Sequence, residues 1–172
     1  MIETDINVQI KISLMSLIFS KSCEYAFQAV LFLAKKENGK PIHLLDVASS
    51  LRIPHHFLSK VLQMLTRHEI VKSYKGQNGG FELGRNASDI RLIDIVRTVD
   101  GDAFLSHCVM GFPSCGDEKP CPVHTDWKDA KGTIVRMLNE KTIEDLSKHM
   151  DDKLSLLDAL NHSHAQQVVA VN

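Results

Sequence analysis

The stretch LLDVASSLRIPHHFLSKVLQMLTRHEIVKSYKGQNGGFEL, residues 44–83, decides the fold. Its beginning predicts a short helix over 43–51, with Leu45, Ala48 and Leu51 on one face. Arg52-Ile53-Pro54 is a tight connection, and Pro54 falls where a helix starts, the helical position proline tolerates best. The next helix runs to about Glu69. Phe57, Leu58, Val61, Leu62 and Leu65 recur at helical spacing as its apolar face. His55, His56, Ser59, Lys60 and Gln63 lie opposite. Residues 70–74 then read as a short strand, and 75–80 is turn chemistry with Gly76, Gly79 and Gly80. Phe81-Glu82-Leu83 alternates as a returning strand. Helix, turn, helix and two-stranded hairpin is the order of a winged helix-turn-helix.

Upstream, Tyr25, Ala26, Ala29, Val30, Leu33 and Ala34 mark a first helix. Ser22 is read as its N-cap, Glu24 sits in the first turn, and Asn38-Gly39 stops it. Downstream, Leu92, Ile93, Ile95, Val96 and Val99 predict a helix over 90–99, ended by Asp100-Gly101. Residues 103–126 form a loop holding three Cys, two His and three Pro, longer than an ordinary connection. Trp127, Ala130, Ile134 and Leu138 then recur at helical spacing, an amphipathic helix with room for a partner. Thr142-x-x-Asp145 resembles a capping box opening one more helix. The expected architecture is mainly α with a small β-hairpin wing. It divides into an N-terminal extension (1–14), a winged helix-turn-helix domain (15–101), a cysteine-rich loop (102–126), a dimerisation helix region (127–150) and a C-terminal tail (151–172).

Composition excludes several classes. The chain has 172 residues, 44% hydrophobic and 24% charged, which rules out wholesale disorder, collagen-like repeats and a membrane channel. The apolar run at 10–19 is interrupted by Lys11, preceded by Glu3 and Asp5, and short of the ~18 residues of a membrane span. It has no cleavage site after it, so the expectation is a non-secreted, cytoplasmic protein with no membrane partner. Four Cys are too few for a disulfide scaffold of this length. Charge is uneven. Residues 1–51 are neutral, 52–85 carry +4 and 86–172 carry −5, for a net −1. One short basic segment between neutral and acidic ones suggests a single anion-facing surface.

That segment contains the helix whose exposed side is His55, His56, Ser59, Lys60 and Gln63. A polar face above an apolar base is what a helix needs in the major groove. Lys75, Gln77 and Asn78 lie in the turn, where Lys75 would bring a cation to phosphates or the minor groove. The second motif is CVMGFPSCGDEKPCPVH, residues 108–124. Cys108, Cys115 and Cys121 are separated by six and five residues, without the C-x₂₋₄-C knuckle usual at zinc. Wide spacing in a Gly- and Pro-containing loop suits thiolates around an iron–sulfur cluster. The fourth ligand is left open between His124, in C-x-x-H after Cys121, and Glu24 from a partner chain, with Cys23 and His107 weaker candidates. Cys23 otherwise reads as a packing residue or a reactive thiol. A structural zinc or cluster-free thiols is the alternative. No nucleophile elbow, P-loop, dinucleotide fingerprint or H-E-x-x-H is present, so the chain is not expected to be an enzyme.

SCEYAFQAVLFLA, the 44–101 segment with its Gly-Gly wing and FELGR, the I-x-L-x-D-I-V run, the three-Cys loop and TIEDL together resemble the IscR/NsrR-type winged-helix regulators of bacteria, the Rrf2 family. The resemblance spans about residues 15–150. It implies a homodimer in which the helix bearing Trp127 and Leu138 crosses to the partner. It implies a pseudo-palindromic double-stranded DNA operator, with His55, His56, Ser59 and Lys60 toward bases and Lys75 in the minor groove. It also implies a 2Fe–2S or 4Fe–4S cluster on Cys108, Cys115 and Cys121. The fourth ligand would be His124, as in cluster-assembly regulators, or Glu24 of the other chain, as in nitric-oxide and some redox sensors. The signal implied is redox state, nitric oxide or iron–sulfur supply.

Overall fold

The computed structural model describes residues 18–36, 40–76, 79–102, 108–112 and 116–148. Its elements are α1 (Lys21–Lys35), α2 (Leu44–Leu51), α3 (His55–Arg67), β1 (Val71–Tyr74), β2 (Gly80–Leu83), a 3₁₀ turn (Ala87–Asp89), α4 (Leu92–Val99), α5 (His124–Glu140) and α6 (Ile143–Lys148). No helix among the described residues is long and apolar enough to cross a membrane. The fold is therefore mainly helical with a two-stranded hairpin, as the sequence predicts.

α1 is the central post. It buries Cys23, Ala26, Ala29, Val30, Leu31 and Leu33 and packs against α3, α4, α6 and β2. Its small residues let neighbouring backbones approach. Its N-cap is Ser20 rather than Ser22. The Ser20 hydroxyl accepts from the Cys23 amide at 3.1 Å. Asp100 selects that position, because its carboxylate accepts from the Ser20 amide at 2.8 Å and from the Ser20 hydroxyl. The helix closes at Lys36. The stop expected at Asn38-Gly39 lies outside the described residues, as do the extension at 1–14 and the tail at 151–172.

α2 and α3 form the helix-turn-helix. Arg52 takes a left-handed conformation (φ 53°) between them, and Ile53 beside it is buried. Neither helix has a side-chain N-cap bond. Burial holds α3 instead: Leu58, Val61, Leu62 and Leu65 are at most 2% exposed. Each contributes about 1.5–3 kcal/mol, more than the ~1 kcal/mol of a cap. Two expected core residues are corrected. Leu45 is 66% exposed and Phe57 49% exposed. Val47 takes the buried place in α2, and Leu58 holds the core seat in α3 while Phe57 stands about 100° round the helix.

β1 and β2 pair antiparallel with Val71 opposite Leu83 and Tyr74 opposite Gly80. Ile42 adds a bridge that the sequence reading missed, exchanging two backbone hydrogen bonds of 2.9 Å with Phe81. This contact explains Gly80, and the hairpin's own turn explains Gly79. A Cβ on Gly80 would stand 2.5 Å from the Ile42 carbonyl oxygen, and one on Gly79 2.4 Å from that of Tyr74. α4 buries Leu92, Ile93, Ile95 and Val96. It begins at Leu92 rather than at residue 90, because the Ile90 carbonyl accepts from the Ile143 amide at 2.9 Å. The capping box of α6 forms as expected: Asp145 accepts from the Thr142 amide (3.0 Å) and hydroxyl (2.9 Å), and its own amide donates back at 3.1 Å.

α5 starts at His124, inside the segment read as loop. In its 17 residues only Leu138 is buried. Of the expected apolar stripe, Trp127 and Ile134 are half-buried and Ala130 is exposed. Met137 is 46% exposed.

Candidate nucleic-acid interface and cysteine loop

α3 offers its polar face to solvent because its core residues lie at the i, i+3, i+4, i+7 positions Leu58, Val61, Leu62 and Leu65. His55, His56, Lys60 and Gln63 are exposed, and Ser59 is half-buried. The Gln63 side-chain amide donates to the Ser59 hydroxyl at 3.4 Å, linking two of the expected contacts. The imidazoles of His55 and His56 meet edge to face, with centroids 5.8 Å apart. The Phe57 ring lies 4.1 Å from that of His56. The first three residues of α3 are thus three exposed rings, and Phe57 is the member sequence periodicity assigned to the core.

Lys75 is exposed at the end of β1. Gln77 and Asn78 lie outside the described residues. The wing base is braced by the Tyr74 hydroxyl donating to the Glu82 carboxylate, which pushes the phenol above its ordinary range. Arg52, Arg67 and Lys72 are further exposed cations of the basic segment, not singled out by the sequence reading. A helix tip, a wing and these cations on one small domain can engage phosphates and base edges together.

The second group lies where the loop enters α5. Cys108 and Cys121 are half-buried and in no disulfide. Cys115 lies outside the described residues. The Gly111 amide donates to the Cys108 carbonyl at 2.9 Å, closing a turn in which Gly111 has φ 71°. The His124 amide donates to the Cys121 carbonyl at 2.9 Å, so those two residues occupy one turn. His124 Nε2 is 3.1 Å from Asp117 Oδ1, and Lys128 Nζ donates to both Asp117 oxygens at 2.8 and 3.0 Å. Lys128 first and His124 second hold the Asp117 carboxyl below the usual carboxylate range. The sequence reading missed Asp117 as a neighbour of the candidate ligand His124; an acid between the last two loop cysteines was the available signal. Glu24 pairs with Lys21 at 2.6 Å in the first turn of α1. Among the described residues, no three His, Cys, Asp or Glu side chains are gathered closely enough to hold a metal ion.

Cys23 is a packing residue. It is fully buried, and burial followed by the nearby Asp100 carboxylate pushes its thiol up to about 12. At that value it is protonated and inert at neutral pH.

Comparison with known proteins places these features. The sequence model of the Rrf2 family, described as an iron-dependent transcriptional regulator, matches residues 19–149. A putative HTH-type transcriptional regulator of Aquifex aeolicus is 32% identical over 133 residues, covering 76% of this chain and 91% of that protein. The regulator NsrR of Oceanobacillus iheyensis is 28% identical, covering 80% and 94%. The regulator IscR of Pectobacterium atrosepticum is 30% identical, covering 71% and 74%. Among solved structures, CymR of B. subtilis, titled its global cysteine regulator, superimposes with TM-score 0.65 at 26% identity, covering 77% of this chain and 98% of that one. T. potens IscR shares the fold, with TM-score 0.61 at 24% identity over 81% of this chain and 92% of that one. These relatives are transcriptional regulators, not enzymes. The chain belongs to the Rrf2 family and is a DNA-binding transcriptional regulator built on a winged helix-turn-helix.

Proposed function

We propose that this regulator works as a homodimer whose hold on a pseudo-palindromic operator is set by an iron–sulfur cluster. α3 serves as the recognition helix, with His55, His56, Ser59, Lys60 and Gln63 toward bases. Lys75, with Gln77 and Asn78 beyond it, contacts phosphates or the minor groove. The poorly buried α5 pairs with the same helix of a second copy. The cluster, 2Fe–2S or 4Fe–4S, is held by Cys108, Cys115 and Cys121. The fourth ligand is His124 of the same chain or Glu24 of the partner subunit.

The observation that carries the reading is Cys121 and His124 sharing the turn that opens α5, with Cys108, half-buried and like Cys121 in no disulfide, in a second turn earlier in the loop. The donor chemistry fits: thiolates and one imidazole suit iron–sulfur ligation. Asp117 on His124 Nε2 is the kind of outer partner that orients a ligating imidazole. When bound, the cluster supplies a group that changes with redox state, nitric oxide or iron–sulfur supply. The chain supplies the lever. The loop joins the winged domain, which ends at the Asp100–Ser20 tie, to α5. Pinning or releasing that loop changes how two recognition helices are spaced across about 34–36 Å of DNA.

A second reading keeps the DNA-binding dimer and replaces the cluster with a structural zinc or bare thiols. The likeness to CymR, a cysteine regulator by its title, favours it. The two readings part on one measurement: iron, acid-labile sulfide and zinc per chain in protein purified without oxygen. Iron and sulfide in matching amounts with a brown chromophore support the cluster. Zinc alone, or a metal-free folded dimer, removes it and leaves DNA binding standing.

A further inference from the structure

The first turn of α3 exposes an apolar ring where a groove-facing helix is expected to be polar. Phe57 is 49% exposed, although the same helix buries Leu58, Val61, Leu62 and Leu65 completely or nearly so. It is not loosely placed, because its ring lies 4.1 Å from that of His56, tilted by 42°. His56 in turn meets His55 at 5.8 Å and 88°. The tip is therefore a run of three aromatic rings, two able to donate and accept hydrogen bonds and one able to do neither. Phe57 shares a helical face with Lys60, three residues on, which is exposed.

In the major groove only one base carries an apolar group: thymine, whose C5 methyl projects into the groove and is contacted by side chains such as Phe. We infer that Phe57 is a specificity-determining residue that seats its ring against a thymine methyl in each operator half-site, beside the hydrogen bonds made by His55 and His56. The inference rests on the reading of α3 as the recognition helix. On a free surface the half-exposed ring would only cost solvation; in the groove it removes both its own apolar area and the methyl from water. Phe57 makes no phosphate contact in this account, so its contribution is independent of salt.

The test begins with selection of binding sites by the full-length protein from a randomised 30-base-pair duplex pool. In the selected duplex, each thymine is then replaced singly by uracil, which removes the methyl and nothing else. The expected result is one position per half-site at which uracil weakens binding by about three- to fivefold, the value of one buried methyl. Phe57→Ala should bind thymine and uracil duplexes equally, with the salt slope unchanged. Phe57→Leu keeps an apolar tip and should retain the preference. Thermal unfolding of each variant checks that the domain is intact. If no uracil substitution matters to the unaltered protein, or if Phe57→Ala keeps the discrimination, the inference is overturned while the recognition-helix reading stands. If no sequence is enriched, or if Lys60→Ala and His56→Ala leave the selected site unchanged, that reading falls and the inference with it.

Discussion

α3 and α5 are both amphipathic helices, of 13 and 17 residues, but they are completed differently. α3 buries four large apolar residues against its own chain; α5 buries one, Leu138. The domain around α3 is held by α1, α4 and the hairpin and carries the basic segment. The region around α5 is nearly neutral, with six Lys or Arg against seven Asp or Glu over 103–148, and Val109, Met110, Phe112 and Met137 are each about half-exposed or more. The difference teaches that the DNA-reading part is finished within one chain. The loop and α5 need something more, a cluster and a second copy in the account above.

The sharpest way to break this contrast is to damage the dependent half alone. Cys115→Ala should abolish visible absorption altogether, while the winged domain keeps its cooperative unfolding. Retained colour would take Cys115 out of the ligand set.

The thiols offer the next largest effect. Cys23 belongs to the self-sufficient half and is buried with its pKa pushed up to about 12. At pH 8 about one such thiol in 10⁴ is ionised, against a substantial fraction of an ordinary thiol. Metal-free protein treated with iodoacetamide and digested for mass spectrometry should carry label on Cys108 and Cys121 long before Cys23. Comparable labelling of Cys23 in folded protein would mean that α1 does not form the closed core described.

A smaller effect is expected at the wing. Lys75→Ala should weaken DNA binding several-fold across sequences and lower the slope of log affinity against log salt by about 1. Anisotropy titrations at four salt concentrations measure both. An unchanged slope would remove the wing contact.

The smallest effect concerns α6, which anchors the end of the chain's described part through buried Ile143. Hydrogen bonds from the Thr142 amide and then its hydroxyl hold the Asp145 carboxyl below the usual range. A depressed carboxyl supports the fold above its ordinary pKa, and that support is lost as pH falls through the lowered value. Amide protection in α6, corrected for intrinsic exchange, should therefore fall in acid below about pH 4. Asp145→Asn should flatten that dependence. Full protection of the unaltered chain at pH 2 would contradict the cap's role.

Much of the finished half was legible in the sequence, and the reasons for the misses are physical. Helical periodicity located α1, α3, α4 and the α5 stripe, and turn chemistry located the hairpin. Periodicity could not place Leu45 and Phe57, because spacing gives a face but not where the packing partner ends. It missed the Ile42 bridge because one residue has no period. It chose Ser22 over Ser20 because the deciding partner, Asp100, lies 80 residues away. The exposed face of α3 was readable from residue type alone. Asp117 was not, since its link to His124 and Lys128 exists only once the loop has turned back onto α5. Gln77, Asn78 and Cys115 lie outside the described residues.

The central claim is that the dependent half governs the self-sufficient one. It is tested most directly by measuring affinity for one selected duplex, at fixed salt, with the coloured dimer and with the same preparation stripped of iron by a chelator without oxygen. The two affinities should differ by about 5- to 150-fold, the span of ordinary allosteric coupling. Equal affinities from two folded, dimeric forms would contradict it.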